Sequence, residues 1–138
     1  MALRRALELA PQRFVSRALL ALVIMDDGRT DEALEEAALE PDEFWRLWAL
    51  AIIYHAAGRA SEADASLQKL TREHSAGNSY QLAEAHAMRG ENDHAFEWLE
   101  RAIADKDAGV THGKVNPRFR HLRDDPRWPA IMKKIGFE

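Results

Sequence analysis

Three glycines, Gly28, Gly58 and Gly90, occupy one recurring position in this chain. In each case a leucine lies eight residues before the glycine, an alanine seven before and another alanine five after. The triplets are Leu20/Ala21/Ala33, Leu50/Ala51/Ala63 and Leu82/Ala83/Ala95. Self-similarity at roughly thirty residues constrains the architecture ahead of any local motif, because a unit that cannot bury its apolar face alone must stack on its neighbours. Such arrays mostly bind rather than catalyse.

Each unit reads as two antiparallel helices joined at the glycine. In the second unit the first helix spans about Glu43 to Ala57, with Leu47, Leu50, Ala51 and Tyr54 at i, i+3, i+4 and i+7 along one face. Gly58 then ends the helix where a left-handed residue is wanted. The next helix restarts near Ser61, an N-cap candidate with Glu62 in the first turn, and presents Ala63, Leu67 and Leu70 inward. Asp31 and Asn92 or Asp93 are the corresponding caps of the other two second helices. Ala51 and Ala63 sit where the paired helices cross, and a bare methyl lets the backbones approach; a bulky residue there would splay the hairpin.

These residues resemble the tetratricopeptide repeat family, a helix–turn–helix unit. Leu47-x-x-Leu50-Ala51-x-x-Tyr54, Gly58, Ala63 and Leu67 carry the likeness best. The third unit follows with Leu82-Ala83, His86, Gly90, Ala95, Leu99 and Ala102, His86 standing where the family has an aromatic, and the first with Leu20-Ala21, Ile24, Gly28 and Ala33. The expected fold is all-α, a right-handed α-α superhelix of about three hairpins with C-terminal capping helices. The repeats are expected over 1–107, as a partial unit 1–13 and units of about 14–43, 44–75 and 76–107, with a loop and capping segment over 108–138. Ala6-Leu7-Glu8-Leu9-Ala10-Pro11 looks like the end of a second helix, and Pro11-x-x-Phe14 recurs as Pro41-x-x-Phe44. The chain is therefore expected to begin inside a repeat, as the C-terminal piece of a longer protein; a half-repeat acting as an N-terminal cap is the alternative.

The pattern changes after Asp105–Asn116. Asn116-Pro117 and Asp125-Pro126 each place a capping side chain before a proline, a start signal for a short helix. Trp128, Ile131, Met132 and Ile135 follow at i, i+3, i+4 and i+7, and Gly136 stops the run. The stretch Val115-Asn116-Pro117-Arg118-Phe119 through Leu122-Arg123-Asp124-Asp125-Pro126-Arg127-Trp128 is similar to an ending of tetratricopeptide regions in bacterial multidomain signalling proteins, among them class III adenylate cyclases, winged-helix regulators and serine/threonine kinases. That resemblance implies a scaffold or regulatory module of such a protein.

The family's first helices line a concave face, which implies a docking groove for an apolar helix or peptide formed by Val15, Leu22, Met25, Trp45, Trp48, Ile52, His55, Tyr80 and Glu84, with Ala18 and Ala87 beside them. Homodimerisation through the same face is the alternative. The family's clamp for a terminal carboxylate would need polar groups where Ala18, Leu22, Trp48 and Ile52 stand, so that ligand class is not expected.

Other chemistry finds little support. There is no cysteine, hence no disulfide scaffold or thiolate zinc site. The six histidines show no His-Glu-x-x-His spacing, and no metal or cofactor is expected. Glu35/Glu36, Asp26/Asp27 and Asp124/Asp125 read as helix surface or caps. Gly109-Val-Thr-His-Gly113 lacks the spacing and lysine of a phosphate-cradling loop, so no enzyme is expected. From Lys114 onward seven basic residues face three acidic ones within a chain of net charge −4, a tail that reads as a solvated face, so nucleic acid is a disfavoured partner. The longest apolar run, Ala18–Met25, is far short of a membrane span, and a cytoplasmic location is expected.

Overall fold

A computed structural model describes residues 16–107, 110 and 116–136. The described residues are helical and contain no strand. The helices are α1 (Ser16–Asp26), α2 (Thr30–Ala38), α3 (Glu43–Ala56), α4 (Ala60–His74), α5 (Ser79–Met88), α6 (Asn92–Ala104) and α7 (Trp128–Ile135), with 3-10 turns at Pro117–Phe119 and Leu122–Asp124. Packing divides the chain into two compact units, Met1–Arg72 and Glu73–Glu138.

The recurring glycine makes the same turn three times. Gly28, Gly58 and Gly90 have φ of +85°, +78° and +76°, a region closed to most L residues. Each glycine amide donates to the carbonyl three residues back, at Met25, His55 and Ala87. The amide that follows donates five residues back: Arg29 to Ile24 at 3.2 Å, Arg59 to Tyr54 at 2.9 Å and Glu91 to His86 at 3.0 Å. These six-to-one bonds satisfy carbonyls that a helix end leaves open. The residue after the glycine then accepts the first bond of the next helix, from Ala33, Ala63 and Ala95 at 2.9, 3.0 and 3.0 Å.

This geometry corrects the expected caps. The turn itself sets the cap position one residue past the glycine, so Arg29 and Glu91 stand there without a side-chain capping bond. Asp31, Ser61, Asn92 and Asp93 fall inside the helices. Arg29 instead bonds Glu32 at 2.8 Å, and Arg59 bonds Glu62 through Nε at 2.8 Å, exposed one-turn pairs that contribute a few tenths of a kcal/mol each.

In the first unit α1 packs on α2, and α3 packs on both. Ala21, Ala33, Ala51 and Ala63 are fully buried, beside Leu20, Ile24 and Leu70. The open end of the α1–α2 hairpin is closed by Glu40, only 1% exposed. Its carboxylate accepts from Ala18 N in the first turn of α1 (3.2 Å) and from Asp42 N (3.1 Å), while its carbonyl accepts from Arg46 (2.9 Å). Asp42 then caps α3 by accepting from Trp45 N at 3.1 Å.

In the second unit α5 pairs with α6, Pro117–Phe119 packs on α5, and α7 packs on α6. One core joins Tyr80, Ala83 and Ala87 of α5 to Ala95, Phe96, Leu99 and Ala102 of α6 and to Phe119, Leu122, Trp128, Ile131 and Met132. The apolar face expected for the last helix is therefore buried, and Gly136 ends it at φ +115°. The start of α5 also meets carboxylates from beyond α6: Asp107 accepts from Tyr80 N at 3.3 Å and Asp105 from the Ser79 hydroxyl at 3.4 Å. Both hairpins thus close at one end by a glycine turn and at the other by a carboxylate placed on a helix N-terminus, where the dipole favours a negative charge.

Candidate functional site

The expected groove residues do not form an open surface. In the first unit Leu22, Met25, Trp48 and Ile52 are 3%, 9%, 1% and 2% exposed. Trp45 is half-buried, with its ring edge-on to Trp48 at 5.4 Å, and His55 is exposed. Val15 lies outside the described residues. The cause is visible in α3 itself. Leu47, Trp48, Ala49, Ala51, Ile52 and Ile53 are all buried, whereas Leu50 and Tyr54 of the expected inward stripe are only half-buried, so burial is not confined to that stripe. A helix that is apolar all round is an interior helix, and the run Trp48–Tyr54 carried that signal.

In the second unit Tyr80 and Glu84 are also buried, at 4% and 5%, and here the structure brings expected residues together around a polar site. Both lie on one face of α5, one turn apart, beneath the segment Asn116–Phe119. Asn116 Nδ2 donates to the Tyr80 hydroxyl oxygen at 2.8 Å and to Glu84 Oε2 at 2.9 Å. Arg118 Nη1 donates to the same carboxylate oxygen at 3.2 Å. The Asn116 side-chain oxygen accepts from Arg118 N at 2.9 Å, which caps the 3-10 turn, and Arg123 donates to the Asn116 carbonyl at 2.9 Å. Phe119, fully buried, sets its ring edge-on to Tyr80 with centroids 5.4 Å apart and planes at 85°.

Burial governs the electrostatics of this site. It pushes the Glu84 carboxyl above the ordinary glutamate range, against the pull of Arg118 and Asn116. It pushes the Tyr80 phenol up to about 12, with the Asn116 hydrogen bond opposing. The buried carboxylate is met by an amide and a guanidinium of the chain itself.

Two neighbouring features complete the unit. His86, buried beneath the α5–α6 turn, bonds Glu91 through Nδ1 at 2.9 Å, and its ring lies 5.1 Å from that of His94. Burial lowers its pKa although Glu91 pulls the other way. Burial acts to raise the Glu91 carboxyl, but hydrogen bonds from Arg89 and His86 outweigh it and hold the group low. Between α6 and α7 an open groove of about 520 Å³ is lined by Asp93, Phe96, Glu97, Glu100, Arg127, Ala130 and Ile131. Arg127 lies over the Phe96 ring at 4.5 Å and bonds Asp93 and Asp125, each at 2.9 Å. Side-chain and backbone hydrogen bonds from Arg127 hold Asp125 at about 2.

Glu84 stood among the expected site residues, but its partners Asn116 and Arg118 did not, and Glu40 was missed. A carboxylate inside an Ala-rich helix such as Leu82-Ala83-Glu84-Ala85 is the sequence signal for the first; an acid just before Pro41 is the signal for the second. No described helix is long and apolar enough to cross a membrane. No protein-family model, curated protein or solved structure matches the chain.

Proposed function

We propose that the chain is a tetratricopeptide-type interaction module that binds another polypeptide and performs no chemistry of its own. The observation that carries this reading is the turn made three times with the same bonds at Gly28, Gly58 and Gly90. Repeated hairpins of this sort contact their neighbours and present extended surfaces, and binding is the use such surfaces serve. A scaffold or regulatory part of a larger signalling protein is the setting this implies. The burial of Trp48 and Ile52 removes them as direct contacts; Tyr80 and Glu84 are buried as well, beneath Asn116–Phe119, so the α5 face serves recognition only where that segment leaves it.

The test is display selection of peptides drawn from disordered protein segments on the full chain, combined with light scattering over a concentration series. Enriched peptides that bind saturably support the reading. Concentration-dependent dimers without peptide enrichment replace it with self-association. A chain that enriches no peptide and stays monomeric throughout refutes both.

A further inference from the structure

The face of α5 that carries Tyr80, Ala83, Glu84 and Ala87 is already filled by the chain's own Asn116-Pro117-Arg118-Phe119. The occupant is held as a bound peptide is held. An aromatic anchor, Phe119, is wholly buried against Tyr80; a carboxamide, Asn116, is read by a hydroxyl and a carboxylate; a guanidinium, Arg118, meets the same carboxylate. Apolar side chains alone could close such a core. A buried carboxylate costs desolvation, and here Asn116 and Arg118 of one four-residue segment both donate to it, which makes the face selective for that segment and its register.

We propose that the α5 face is a peptide-recognition site held in cis by Asn116–Phe119, and that its ligand in trans is a segment of another protein bearing a carboxamide, an arginine two residues later and an aromatic immediately after it. This rests on the interaction reading above and names its partner class. A tethered segment presents itself at about millimolar effective concentration, so the cis occupant excludes weak competitors. The apparent affinity for a partner scales with the fraction of molecules whose face is free.

The probe is a fluorescein-labelled peptide of residues 116–128, titrated by anisotropy into the full chain and into its Asn116→Ala/Arg118→Ala variant, which loosens the cis occupant while keeping Phe119. The variant is expected to bind the peptide roughly tenfold or more tighter than wild type, and Glu84→Leu in the same background is expected to abolish the gain. Equal affinity, or no binding by a variant with unchanged helical circular dichroism, overturns the proposal. If the variant loses its helical signal, amide hydrogen exchange on the wild type decides. Arg118, Phe119 and Arg120 exchanging at lower free energy than the α5 amides supports a separable occupant, and exchange in concert with α5 overturns it. Peptide enrichment in the display selection together with failure here rejects the cis-held site alone, whereas failure of both rejects the interaction reading as well.

Discussion

Replacing Gly58 with alanine isolates the backbone term of the recurring turn. A Cβ built at Gly58 meets no atom within 4 Å, so the substitution neither clashes nor gains packing. What remains is conformational: at φ +78° an L residue is held in the left-handed region, at a cost of roughly 1–2 kcal/mol. Alanine also narrows the unfolded ensemble, which offsets about 0.4–1 kcal/mol of that cost. The expected net loss is about 1 kcal/mol, or roughly 3–5 °C in Tm for a chain of this size. Asparagine tolerates the left-handed region, so Gly58→Asn should lose less than half as much as alanine. Because the chain has two compact units, urea unfolding should be followed by far-UV circular dichroism together with exchange of the Ala57, Arg59 and Ala63 amides, which bracket the turn. Gly28→Ala, at φ +85° with open space around it, should repeat the result. An alanine variant as stable as wild type, or an asparagine as costly as alanine, would mean that the left-handed backbone is not what the glycine supplies.

Other perturbations probe the packing and the polar closures. Ala21→Leu and Ala83→Leu, each at a fully buried position, should cost about 1–3 kcal/mol by forcing paired helices apart; an unchanged urea midpoint would show that the small residues do not set the helix separation. Glu40→Ala should cost about 1–3 kcal/mol because the amides of Ala18 and Asp42 lose their acceptor, and Glu40→Gln, which keeps an acceptor, should lose less in the same assay. Glu84 supplies a pH test with a defined sign. Its folded pKa is raised, so its contribution to stability is fully present below the unfolded glutamate pKa and is lost as pH rises through the folded value. The wild type should therefore lose stability relative to Glu84→Gln as pH rises above the ordinary glutamate pKa of about 4.3, and a flat difference would show that Glu84 is not desolvated.

Much of the helical architecture is legible in the sequence. The glycine register located three turns because left-handed backbone is a local demand that few residues meet, and Gly28, Gly58 and Gly90 each meet it. The alanines at Ala21, Ala33, Ala51, Ala63, Ala83 and Ala95 were legible as inward positions because size at a fixed offset from a turn is also local information, and all six are buried without residual exposure. The capping side chain at Asn116 and the buried stripe from Trp128 to Met132 followed from the same short-range logic. Cap assignments failed at Asp31, Ser61 and Asn92 because the six-to-one bond of each glycine turn, which composition does not report, sets where the next helix begins.

The site was less legible, for a physical reason. Periodicity says which residues share a helix face but not what covers that face. Trp48 and Ile52 were assigned outward from a single stripe on α3, and burial on both sides of that helix reversed the assignment. Tyr80 and Glu84 were assigned to an open groove, yet α5 buries both, and their partners Asn116 and Arg118 lie more than thirty residues away in sequence. The sequence by itself determined the hairpins, because turns and small-residue contacts are encoded within a few residues of each glycine. Only the tertiary structure decided which faces are covered and which carboxylates are buried, because desolvation of Glu84 and the closure at Glu40 depend on groups that chain folding alone brings within hydrogen-bond distance.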